Sequence, residues 1–218
     1  MPSFFDPSRL EQESILRALT KAQIYFNGLL LDIGCGSQPY ATLVKKNNVR
    51  YIGIDFSPEY NPPPDVCADS LRLPFQSDSF DTVLTTQVLE HIPDPFKMFY
   101  EMSRVLKAGG HVVLTAPQVW PLHEEPRDYF RYTRYGLELL ARQNNFEIIY
   151  LKERSGGVIA LGQMTGAMLF DKIDRQSIMR VPVKILVAIW YAIVRSVDKF
   201  FYYPKLTLGY VMIARKLK

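Results

Sequence analysis

The run Leu29-Leu30-Leu31-Asp32-Ile33, followed at once by Gly34-Cys35-Gly36-Ser37, constrains this chain more than any other stretch. A nearly continuous aliphatic run reads as a strand covered on both faces, the pattern of a parallel sheet interior. The two glycines let the turn after the strand bring its backbone close to a ligand. Turns of this kind serve dinucleotides when a pyrophosphate sits on a helix N-terminus. A third glycine is expected two residues on, and Gln38 stands there. Tight turns also occur in proteins that bind nothing, so the turn alone decides little.

Further short apolar runs follow at Tyr51–Ile54, Val66–Ala68, Thr82–Thr85 and His111–Thr115. Helical stretches lie between them. One is expected over roughly Pro7 to Asn27, stopped by Asn27-Gly28, and a second near Tyr40 to Lys46. The third runs from Pro95 to Leu106, with proline at its start and Lys107 and Gly109-Gly110 at its end. A fourth starts at Thr133, an N-cap residue type, and continues to Gln143. Strands over Phe146–Leu151 and Leu208–Ala214 complete the set. Apolar strands alternating with helices imply an α/β doubly wound sheet. A chain of 218 residues, 48% apolar and 22% charged, suits one globular domain, taken as 1–218.

The acidic residues at the strand ends add chemistry. Asp55 closes the second strand 23 positions after Asp32, where a carboxylate can accept both hydroxyls of a ribose. Asp69, after the third strand, is suited to accept from an adenine amino group.

With these motifs in order, the chain resembles the class I S-adenosylmethionine-dependent methyltransferase superfamily, and most of all its small-molecule branch called type 11. The resemblance rests on Asp32-Ile33-Gly34-Cys35-Gly36, Gly53-Ile54-Asp55, Ala68-Asp69 and Leu73-Pro74-Phe75 with Ser79-Phe80-Asp81. It continues through Val88-Leu89-Glu90-His91-Ile92-Pro93-Asp94-Pro95 and Arg104-Val105-Leu106-Lys107-Ala108-Gly109-Gly110. It is dense over roughly Leu29 to Pro117 and holds only in outline beyond. It implies a seven-stranded, mostly parallel, Rossmann-like sheet with the last strand antiparallel, and S-adenosyl-L-methionine as cofactor. It implies that Asp32, Gly34, Cys35 and Gly36 line the methionine end and that Asp55, with Phe56, holds the ribose. Asp69, Ser70 and Leu71 would meet the adenine, and Gln87 would lie over the cofactor.

Other classes fare worse on the same residues. A nicotinamide-dependent reductase needs the third glycine and a pyrophosphate site. A nucleic-acid methyltransferase needs a basic surface or a base-stacking motif after the fourth strand. The net charge is only +4, and Thr86-Gln87-Val88-Leu89 occupies that position. A non-catalytic scaffold subunit with the same fold remains the alternative to an enzyme. No metal site is expected, because His91, His111 and His123 lack ligand spacing. Two cysteines, Cys35 and Cys67, and an opening Met1–Asp6 without basic or long apolar character point to a reduced, cytoplasmic setting.

Methyl transfer is an in-line displacement at a sulfonium, for which alignment and desolvation supply much of the rate. A base is needed only where the acceptor must lose a proton first. The stretch Pro117 to Thr133 gathers ionisable and aromatic groups beyond a strand end. His123 is the candidate base, Asp128 its orienting partner and Tyr129 a substrate contact, with Arg131 a further candidate contact. A surface pairing of Arg127, Asp128 and Arg131 is the alternative. The expected acceptor is a small molecule, lipid- or sugar-linked in one version.

Residues 155–204 form an apolar, helical insertion before the last strand. Sixteen residues from Ser155 to Phe170 carry no charge, then Asp171-Lys172-Ile173-Asp174-Arg175 intervenes. The second apolar run, Ile185 to Val194, lies between Lys184 and Arg195. Neither reaches the roughly 20 apolar residues of a bilayer span. The insertion reads as a lid or homo-oligomer interface, or as an element docking on the inner face of a membrane, with Trp190, Tyr191 and Phe200–Tyr203 at the boundary.

Overall fold

A computed structural model describes residues 6, 8–45, 49–171 and 180–218. Seven strands form one sheet: β1 (Leu29–Ile33), β2 (Arg50–Asp55), β3 (Val66–Cys67), β4 (Phe80–Thr86), β5 (Leu106–Pro117), β6 (Phe146–Glu153) and β7 (Gly209–Lys216). Their spatial order is β3-β2-β1-β4-β5-β7-β6. The pairs from β3 through to β5 are parallel, and β7 runs antiparallel to both its neighbours. This is the doubly wound, seven-stranded α/β sheet that the sequence implies.

The aliphatic runs are buried on both faces because each strand sends alternate side chains to opposite layers. Leu30, Leu84 and Val113 pack beneath α1 (Arg9–Ala22) and α2 (Ala41–Lys45), against Ile15, Leu19 and Val44. Their chain neighbours Leu31, Val83 and Val112 pack beneath α3 (Pro95–Val105) and α4 (Arg134–Gln143), against Met102, Leu137 and Leu140. Each such aliphatic side chain contributes about 1.5–3 kcal/mol on burial.

The helix ends follow local chemistry. Asp94 caps α3 by accepting from the Lys97 amide, and Pro95 takes its first position. Thr133 caps α4 by accepting from the Gly136 amide. The first helix ends at Ala22 and continues as a 3₁₀ turn over Gln23–Tyr25. Its expected start at Pro7, and the expected end of α2 at Lys46, lie outside the described residues. Gly109-Gly110 does not form a loop between α3 and β5. The strand already begins at Leu106, and its register against β4 jumps between Phe80 and Thr82. Gly109, at φ +79°, gives the bulge that absorbs the extra residues.

The insertion is a pair of helices, α5 (Gly157–Asp171) and α6 (Arg180–Asp198). They approach closely, since a Cβ on Gly162 would lie 2.5 Å from Val194 and one on Gly166 would lie 2.5 Å from the Tyr191 hydroxyl. Tyr191 and Val194 share a cluster with Leu10 of α1, and Arg195 forms an ion pair with Glu13. Among the described residues no helix is long and apolar enough to cross a membrane. Lys172–Arg175, the rest of the charged run that follows Phe170, lies outside the described residues.

Candidate active site

The strand order reverses between β1 and β4, and a crevice opens beyond the carboxyl ends of strands at such a point. A cleft of about 880 Å³ lies there, lined by the turn after β1, the ends of β2 and β4, the Ala68–Leu71 segment and the loop after β5. Ten of the expected site residues line it: Gly34, Cys35, Gly36, Asp55, Phe56, Asp69, Ser70, Leu71, Gln87 and Tyr129.

The floor is built by backbone. Gly34 and Cys35 donate their amides to the Ile54 carbonyl at 2.8 and 2.9 Å, which holds the turn across the end of β2. Gly34 has φ +70°, and a Cβ on it would meet Val88 Cγ2 at 2.3 Å. Both conditions select glycine. Gln38 takes a left-handed φ of +55° itself, and its side-chain amide donates to the Pro63 carbonyl at 3.0 Å. The missing third glycine therefore leaves the turn's shape intact.

Asp55 Oδ2 accepts from the Gly36 amide at 2.9 Å, and Oδ1 accepts from the Ser57 amide at 3.1 Å. Each carboxylate oxygen keeps a further lone pair for a ligand hydroxyl. Asp69 Oδ1 accepts from the Leu71 amide at 2.8 Å. Gln87, at φ +54°, donates its side-chain amide to Thr115 Oγ1 at 3.0 Å. Phe56 is exposed on one wall, and the Arg127 guanidinium lies 4.8 Å from its ring centroid.

Asp32 departs from its expected place. It shares its side of β1 with Leu30, so its carboxylate points into the α1–α2 layer and not into the cleft. It is 1% exposed and accepts from the Tyr51 hydroxyl at 2.7 Å. Burial pushes its carboxyl up to about 7, against the Tyr51 hydrogen bond and with help from the Asp55 charge. Asp32 thus supports the turn from behind.

His123 and Asp128 are brought together but do not line the cleft directly. Asp128 Oδ2 accepts from the His123 amide at 3.0 Å and lies 3.2 Å from His123 Nδ1. Arg131 forks onto both Asp128 oxygens at 2.6 and 2.8 Å, and its hydrogen bonds hold the Asp128 carboxyl well below the usual carboxylate range. Asp128 thus pairs with Arg131 while contacting His123, but its side chain is 1% exposed and Arg127 lies against Phe56, so the arrangement is not the surface pairing of all three. His123 reaches the cleft through His91, whose ring centroid is 4.6 Å away and which is itself a lining residue.

Several lining residues were not singled out from sequence. Tyr40 and Tyr60 lie among them, while Glu124 and Glu125 come from the loop after β5. Beneath them Glu90, in the 3₁₀ turn Leu89–His91, is 1% exposed. Burial pushes its carboxyl up to about 8. Glu90, His91 and His123 each present a ligand atom within 4.8 Å of the others'. Linear spacing hid this group, because it joins the end of β4 to the loop after β5. The Glu-His pair within Leu89-Glu90-His91 was the available signal. Among the described residues, none from 155–204 lines the cleft, and the helix pair packs against α1.

Residues 31–114 match the profile of a family described as "Methyltransferase domain". An uncharacterized methyltransferase of Mycobacterium tuberculosis (strain ATCC 25618 / H37Rv) is 38% identical over 96 residues, which cover 39% of this chain. The chain spans only 38% of the length of that relative. Among solved structures, a SAM dependent methyltransferase from Archaeoglobus fulgidus aligns with a TM-score of 0.60 at 17% identity, covering 95% of this chain and 94% of that one. The [4+2]-cyclase SpnF aligns with a TM-score of 0.61 at 23% identity, covering 94% and 80%. At these identities the structural likenesses establish the fold.

Proposed function

We propose that this chain belongs to the class I S-adenosylmethionine-dependent methyltransferase superfamily, binds S-adenosyl-L-methionine and transfers its methyl group to a small-molecule acceptor, a reading supported by the match of residues 31–114 to a methyltransferase domain. The observation that carries the proposal is the Gly34–Gly36 turn hydrogen-bonded to Asp55 on the floor of a cleft of about 880 Å³. That volume suits a nucleoside-sized donor together with a modest acceptor. Asp55 takes the ribose hydroxyls, Asp69 to Leu71 take the adenine, and Gly34 to Gly36 take the methionine end. Gln87 lies over the donor. The acceptor enters between Tyr129 and His91, where the cleft wall carries ionisable and aromatic groups together.

The sulfonium already supplies a good leaving group, so the residues' main work is alignment and exclusion of water. Where the acceptor carries an acidic O–H or N–H, His123 Nε2 is the proton acceptor, with Nδ1–H directed at Asp128. The test has two steps. Calorimetry measures S-adenosyl-L-methionine binding by the full chain, and labelled-methyl incorporation into a metabolite extract measures transfer. No binding overturns the proposal. Binding without incorporation favours the scaffold reading or another activity on the same fold, such as that of the cyclase that shares it.

A second proposal concerns where the protein works. The outer stripe of α6, with Ile185, Leu186, Ile189, Ile193 and Val197, is exposed, as are Phe200 to Tyr203 beyond it. Such an apolar surface is unusual on a monomer in water. Lys184, Lys199 and Lys205 flank it, with Glu153 at its far end bound by the Tyr202 hydroxyl, so the basic side chains complement an anionic lipid surface. Co-sedimentation with anionic vesicles, reduced by Ile189→Glu, supports docking. A stable dimer that ignores vesicles overturns it in favour of a homo-oligomer.

A further inference from the structure

We propose that Glu90, His91 and His123 form a binding site for one divalent first-row transition cation beside the cleft. The three residues reach one place from two segments, the 3₁₀ turn after β4 and the loop after β5. One ligand atom from each lies within 4.8 Å of the other two. Ligands on one face of a bound cation stand about 3–3.5 Å apart at ordinary metal–ligand lengths. Small side-chain rotations close that difference.

The hydrogen-bond pattern assigns the lone pairs. His91 Nδ1 lies 2.7 Å from the Arg127 carbonyl, an acceptor, so the proton sits on Nδ1. His123 Nδ1 lies 3.2 Å from both the Pro121 carbonyl and Asp128 Oδ2, two acceptors, so its proton also sits on Nδ1. Each Nε2 is left with its lone pair free to bind a cation. A carbonyl or carboxylate behind the far nitrogen is the arrangement that orients metal-bound histidines. His91 Nε2 faces a carboxylate already, with Glu124 Oε2 3.8 Å away at the rim.

The second observation is independent of the histidines. Among the described residues, both carboxylate oxygens of Glu90 are buried with no hydrogen-bond partner beyond Glu90's own backbone. A buried carboxylate without a partner is costly, and native structures pair such groups or give them to a cation. The nearby guanidiniums do not supply the partner. Arg131 is engaged by Asp128, and Arg154 by Glu11 and Ser14.

Two imidazoles and one carboxylate suit Zn²⁺, Mn²⁺, Fe²⁺ or Co²⁺ over Ca²⁺ or Mg²⁺. Three protein ligands leave coordination positions open, and His91 lies on the cleft wall. The open positions give an acceptor oxygen a place to bind and become more acidic. In that state His123 Nε2 holds the cation and is not itself the base. The site stands whether or not the chain transfers methyl groups.

The test reads metal directly. Full-length protein stripped with a chelator is titrated with Co²⁺, followed by visible absorption, and with Zn²⁺, followed by calorimetry. We expect one ion per chain with a nitrogen- and oxygen-ligated Co²⁺ spectrum. Glu90→Gln and His123→Gln, both close in shape to the originals, should each weaken binding at least tenfold and change the spectrum. Thermal unfolding checks that each variant folds, and His91→Asn serves where one does not. Absence of stoichiometric binding, or binding equal in wild type and folded variants, overturns the proposal. Neither titration needs the methyl donor, so failure here is distinct from failure of the methyltransferase reading.

Discussion

The Gly36 amide donates to Asp55 Oδ2 at 2.9 Å, so the glycine turn after β1 and the acidic end of β2 form one unit. A ligand held by Asp55 is thereby held against the turn as well.

Asp55→Ala removes the acceptor of the Gly36 and Ser57 amides together with the proposed ribose acceptor. Hydrogen bonds to a charged group contribute about 1.5–3 kcal/mol each. Binding of S-adenosyl-L-methionine should therefore weaken by roughly tenfold to a hundredfold. Asp55→Asn, which keeps one acceptor oxygen, should lose less. Calorimetry on the three proteins checks the ranking.

Gly34→Ala introduces a Cβ that lies 2.3 Å from Val88 Cγ2 on a backbone at φ +70°. Strain of both kinds should cost about 2 kcal/mol or more. Adding Val88→Ala removes the steric part alone, so the double variant should regain part of the lost Tm and not all. Differential scanning calorimetry separates the two contributions.

Much of this molecule is legible in its sequence because the governing signals are local. Continuous apolar runs find β1 and β4, and Asp94-Pro95 and Thr133 mark helix starts by hydrogen bonds spanning three residues. Nine cleft residues follow from motifs at strand ends, and Tyr129 from the aromatic and ionisable loop after β5. The direction of Asp32 is harder, because it depends on which face of β1 a polar residue takes, a choice completed by Tyr51 of the neighbouring strand. The bulge at Gly109 depends on the register of β5 against β4. The meeting of Glu90, His91 and His123 depends on two loops separated by a whole helix and strand. No spacing rule encodes that meeting.

Asp128 lies in a buried fork with Arg131, its side chain 1% exposed. Asp128→Asn leaves the guanidinium without its counter-charge and should cost about 3 kcal/mol. Because the Arg131 hydrogen bonds hold the Asp128 carboxyl below its ordinary range, its contribution is present above the unfolded-state pKa of about 4 and lost as pH falls. Wild type should therefore lose more stability than Asp128→Asn between neutral pH and pH 3. Denaturant unfolding at stepped pH reads the difference.

Asp32 gives a dependence of opposite sign. Burial raises its carboxyl from 3.8 to about 7 in the folded protein, so the folded state holds a proton that the unfolded chain has released. Between those values the folded state binds more protons, and stability must fall as pH rises. Below the unfolded pKa the contribution is complete, and above about 7 it is gone. The span corresponds to a stability loss on the order of a few kcal/mol. Asp32→Asn cannot titrate, yet it can still accept from the Tyr51 hydroxyl. Its unfolding free energy should be flatter than that of wild type between pH 5 and pH 7, as measured by urea titration. Identical slopes in the two proteins would show that Asp32 is already ionised in the fold, with its charge compensated beyond the Tyr51 contact.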